Sequence, residues 1–108
     1  MDNTLRGNIS DLVNTLNKLR NNIGDPVQQE QLQKILRILF MLWEEVIRQT
    51  IDSNTPSYKA ALQSLTDAEK AASEAIDDAK KVAETINTAV KAAKAVDAVI
   101  GIIGPILL

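Results

Sequence analysis

Between Tyr58 and Ile103 the chain carries an apolar seam that never breaks step. Tyr58, Ala61, Leu65, Ala68, Ala72, Ala75, Ala79, Val82, Ile86, Ala89, Ala93, Val96, Ile100 and Ile103 follow one another at intervals of three and four. This is a heptad pattern, with Tyr58 at a and Ala61 at d. Charged residues such as Lys70, Asp77, Lys80, Lys81, Glu84 and Lys91 fall on the other side of the same helical projection. The unbroken phase predicts one long helix over about 56–103, roughly 70 Å from end to end at 1.5 Å per residue. Thr66-Asp67-Ala68-Glu69 resembles a capping box, which would divide the segment near Leu65. The phase passes through Thr66 undisturbed, so a continuous helix is the expectation and a four-helix arrangement the alternative.

A long helix with a one-sided seam needs something to cover it, and the preceding half of the chain has the matching composition. All 13 alanines lie between Ala60 and Ala98, whereas the residues before them are rich in Leu, Ile, Asn and Gln. Small side chains let helix backbones approach, and a Leu-rich partner fills the shallow groove they leave. Leu5, Ile9, Leu12, Leu16, Leu19 and Ile23 predict a first helix over about 3–22, its stripe widened by Val13. Asn21-Asn22-Ile23-Gly24 is its stop, with Gly24 suited to a left-handed cap. Asp25 as N-cap, Pro26 at the first helical position and Gln28 in a capping box start a second helix over about 26–51. The short connection makes the two an antiparallel hairpin. On the second helix Leu32, Ile35, Leu36, Ile38, Leu39, Phe40, Leu42, Trp43, Val46 and Ile47 span an arc of roughly 200°, about twice a one-sided stripe. This helix should therefore touch two neighbours and sit centrally, with Leu36, Leu39, Trp43 and Val46 buried. Met41 alone falls in the polar arc beside Arg37, Glu44, Glu45 and Arg48. Asp52-Ser53-Asn54-Thr55-Pro56 is the next break, with Thr55 as N-cap. The expected fold is thus all-α: a single domain over 1–108, a helical bundle or antiparallel coiled coil of three helices, or four. A Leu-rich hairpin packs on the long Ala-rich helix, followed by an apolar tail over 104–108.

Composition narrows the chemistry. The 108 residues contain no Cys and no His, which removes thiolate ligands, the Cys nucleophile, the commonest general base and the commonest transition-metal ligand. Glu44-Glu45 and Asp77-Asp78 are the only adjacent carboxylates. Their members point about 100° apart on a helix, so neither pair can clamp a metal, and both read as solvated faces. There is no Ser-x-x-Lys spacing and no Gly-rich phosphate loop. These absences predict a non-enzymatic protein with no cofactor and no metal. A net charge of −2 and three aromatic residues speak against nucleic acid as a partner.

What remains is interaction with protein. The hairpin can cover only about 40 Å of the long helix, leaving its end unpartnered. Met41, Ile86, Val90, Val96, Val99, Ile100 and Ile103 are the candidate interface residues, and a homo-oligomer, most simply a two-fold dimer, would cover them. A bend near Asn87-Thr88 that folds the end back onto the hairpin would remove that need. A distinct protein partner is compatible with the same surface. The alternative function is membrane docking or membrane activity through the apolar segment Val99 to Leu108. Met1-Asp2-Asn3-Thr4 lacks a basic stretch leading into an apolar run, so a cytoplasmic location is expected. Secretion without a signal, or membrane association, would be the exceptions.

Overall fold

The computed structural model describes residues 4–101, and within them the chain is all-α. Helix α1 spans Leu5–Asn22, α2 Pro26–Arg48, α3 Pro56–Asp77 and α4 Val82–Ile100; one turn of 3-10 helix, Ala79–Lys81, joins the last two. The first three starts have a chemical reason. The Thr4 hydroxyl accepts from the Gly7 amide, the Asp25 carboxylate from the Val27 and Gln28 amides, and the Thr55 hydroxyl from the Tyr58 amide. These side chains satisfy amides that the first helical turn leaves without partners. Pro26 and Pro56 follow their caps, where the missing N–H costs nothing.

The long helix over 56–103 is not formed. It is two helices, broken at Asp78, which has extended backbone angles (φ −143°, ψ 100°). The Asp78 carboxylate accepts from the Lys80 amide at 3.1 Å, and its carbonyl accepts from the Lys81 amide at 3.0 Å. α4 then runs back along α3, with the Thr85 hydroxyl donating to the Ala71 carbonyl at 3.0 Å. The physical reason is the stripe that a straight helix would leave wet. Exposing each large aliphatic side chain forfeits about 1.5–3 kcal/mol, whereas one broken turn with an Asp cap costs far less. The chain continues as helix at Leu65, where the Thr66 hydroxyl bonds the Leu62 carbonyl, and equally through Asn87-Thr88. Lys81 reaches Glu74 across the turn at 3.5 Å.

The seam itself survives the fold. From Tyr58 to Ile100 every seam position is buried except Ala79, which lies in the turn and is exposed. Folding the stripe double turns both halves inward. α1 packs on α2 and α3, and α4 packs on α3 and α2, so each helix has two neighbours. Leu5, Ile9, Leu12, Leu16 and Leu19 of α1 and Leu32, Ile35, Leu39 and Leu42 of α2 supply the large side chains of the shared core; alanines dominate the part that α3 contributes. The Leu5 amide donates to the Tyr58 hydroxyl at 3.1 Å in the interior, pinning the start of α1 to the start of α3.

Smaller expectations also change. α2 stops at Arg48, three residues short of the anticipated Ile51, which lies half-buried in the following loop. Gly24 is not left-handed: α1 ends on Ile23 in extended conformation, and the Gln29 side-chain amide donates to its carbonyl at 2.6 Å. Gly101, capping α4 at φ 67°, is the described residue that takes the left-handed region. Ile103 and the tail over 104–108 lie outside the described residues.

Candidate interaction surface

Of the residues singled out as an interface, Ile86, Val96 and Ile100 are buried inside the chain, and Val90 and Val99 are half-buried against its core. α3 and α2 cover the stripe that a straight helix would leave exposed. Ile86 and Val90 line a cleft of about 270 Å³ between α2 and α4, with Ile35 beneath and Gln31, Lys34 and Asn87 at its edge. Met41 is 56% exposed and stands apart on the polar side of α2. These residues do not form one surface.

The exposed apolar surface lies elsewhere, on the side of α2 beside α1. Leu32, Ile35, Leu39 and Leu42 point into the core, but Leu36, Trp43 and Val46, expected to be buried, are only half so. Phe40 is 53% exposed and Ile47 47%. Leu36, Phe40, Trp43 and Ile47 are spaced by four, three and four residues, so they form a second stripe along one edge of the helix. The Phe40 and Trp43 rings stack with centroids 5.8 Å apart and planes at 28°. With Val13 and Ser10 of α1 they line an apolar groove of about 220 Å³.

Two polar details mark the stripe. The Trp43 indole Nε1 is buried and has no hydrogen-bond partner, an unmet donor that costs on the order of 1–3 kcal/mol. Arg37 and Glu44 are exposed on α2 along the outer flank of Phe40, one turn to either side of it. Neither makes an ion pair among the described residues. Elsewhere between α1 and α2, Arg20 donates to the Gln33 side-chain carbonyl.

The α1–α3 contact holds the other unusual group. Glu69 accepts from the Thr15 hydroxyl at 2.8 Å through one carboxylate oxygen, while its other oxygen is buried without a partner. Burial pushes the Glu69 carboxyl above its ordinary pKa; the Thr15 bond opposes the rise, Asp11 adds to it, and Lys18 opposes it. Thr85, fully buried, is satisfied by the Ala71 and Lys81 carbonyls and has a structural part in the α3–α4 turn. Among the described residues no three carboxylates gather as a metal site, and no helix is long and apolar enough to cross a membrane.

The α2 surface was within reach of sequence reading. Phe40 and Ile47 lie at the outer edge of the roughly 200° apolar arc that the sequence shows. Their placement outside the core needed the position of α1. No family model, no curated protein and no solved structure matches this chain.

Proposed function

We propose that this is a non-enzymatic interaction or scaffolding protein that receives an amphipathic helix along the Leu36–Phe40–Trp43–Ile47 stripe. The observation that carries this reading is a half-exposed stacked aromatic pair at the centre of a helically spaced apolar row. Isolated exposed aliphatic residues are ordinary on a protein surface, but a contiguous row beside a groove is not. The i, i+4, i+7, i+11 spacing fits a helix laid alongside better than a strand or an extended peptide. Aromatic side chains at the middle of such a row are the usual anchors of binding energy.

The single tryptophan lies in the surface it would report on. A designed amphipathic peptide, with leucines at four–three spacing and a neutral polar face, serves as the probe. Its addition should shift Trp43 emission to the blue, and Phe40→Ser should weaken the apparent affinity by at least about tenfold. Emission that stays constant up to millimolar peptide, and up to millimolar protein alone, would overturn the reading.

A further inference from the structure

The stripe fits one particular helix: α2 of a second copy of this chain. Resting on the reading above, we infer that two copies pair α2 against α2 in antiparallel fashion about a two-fold axis that crosses the stripe between Phe40 and Trp43. The argument is the self-complementarity of the row and its flank. In an antiparallel pair centred there, Leu36 faces Ile47 of the partner subunit and Phe40 faces Trp43 of the partner subunit, so large meets large at the middle and aliphatic meets aliphatic at both ends. In the heptad frame of the stripe Arg37 and Glu44 each follow a seam residue directly, and so occupy equivalent flanking positions. Antiparallel packing brings that flank of one helix against the same flank of the other. Arg37 then meets Glu44 of the partner subunit, and the symmetry repeats the pair on the other side of the axis.

The apolar pairing and the charge pairing share a centre to within one residue, about 1.5 Å of helix rise. A parallel pair loses this match, because each outer flank then meets the flank that faces α1. Both charges are exposed and free of ion pairs within the described chain, so pairing breaks no existing contact. Phe40 and Ile47, the most exposed residues of the row, lie near the axis and near one end of it. A second α2 thus covers the whole row.

Exchange of the two charges tests this without disturbing the core. Arg37→Glu and Glu44→Arg each place two like-charge contacts in the symmetric dimer. Sedimentation equilibrium, with circular dichroism to show unchanged helix content, should find each single variant at least about tenfold weaker in self-association than the parent. The double variant, Arg37→Glu with Glu44→Arg, should return to within about threefold of the parent. An equimolar mixture of the two single variants should form a mixed dimer at least about tenfold tighter than either variant alone, since both cross-contacts are then attractive. A double variant as weak as the singles, or a mixture no tighter than its components, would overturn the pairing. A parent that stays monomeric to millimolar concentration would overturn it too. If the amphipathic peptide still shifts Trp43 emission in a Phe40-dependent way, only this inference falls and the helix-receiving surface stands.

Discussion

Glu69 is the side chain whose surroundings conflict most with its charge. Its carboxyl faces Asp11 and Lys18 on α1, bonds Thr15 through one oxygen, and buries the other without a partner. The folded-state pKa lies above the ordinary value, so the group favours folding below the ordinary carboxyl range. That contribution is lost as pH rises through the raised folded value. Glu69→Gln keeps the acceptor for Thr15 and cannot ionise. Thermal unfolding should find the variant and parent close at pH 4, with the variant gaining on the parent as pH rises to 7. A difference that stayed constant with pH would mean that the carboxylate is as well solvated in the fold as in the unfolded chain. The same residue shows how far local pattern reading reaches. Thr66 and Glu69 have capping-box spacing, yet Thr66 bonds within its helix and Glu69 bonds Thr15 across to another. Nothing in spacing alone separates a cap from a cross-helix contact.

At the scale of the element, the α3–α4 turn decides the architecture, and it contains neither Gly nor Pro. Ala79, Lys80 and Lys81 all favour helix, and the heptad phase runs straight through them. The break is held by the Asp78 cap, by Lys81 reaching back to Glu74, and by Thr85 bonding Ala71. Two alanines of the seam therefore differ in a testable way. Ala75 is buried, and Ala75→Leu should destabilise by about 1–3 kcal/mol because extra methylenes cannot enter the contact. Ala79 is exposed in the turn, and Ala79→Leu should stay within about 0.5 kcal/mol of the parent. Denaturant titration of both variants checks the contrast, and equal losses would mean that the seam is straight. The Asp77-Asp78 doublet looked like solvated surface because carboxylates on a helix usually are. As an N-cap signal it was present in the sequence, but hidden by the unbroken hydrophobic phase around it.

For the whole molecule, the fold-back predicts a compact particle. The described residues measure 40 × 27 × 18 Å, against roughly 70 Å for a straight final helix. Small-angle scattering of the Phe40→Ser variant, chosen to suppress self-association, should give a maximum dimension far short of that length. A particle approaching 70 Å would restore the long helix. The sequence by itself determined the all-α class, the two capped starts at Asp25 and Thr55, and nearly every buried position of the seam. Those features follow from local hydrogen bonding and from hydrophobic periodicity, which act over one or two helical turns. Only the tertiary structure decided that the seam folds double at Asp78, that Ile86, Val96 and Ile100 are covered within the chain, and that Phe40 and Ile47 are left outside. A period of 3.5 residues is the same for a straight helix and for one reversed in step. Choosing between them takes the total apolar area that two neighbouring helices can cover, a property of the assembled molecule that no window of residues contains.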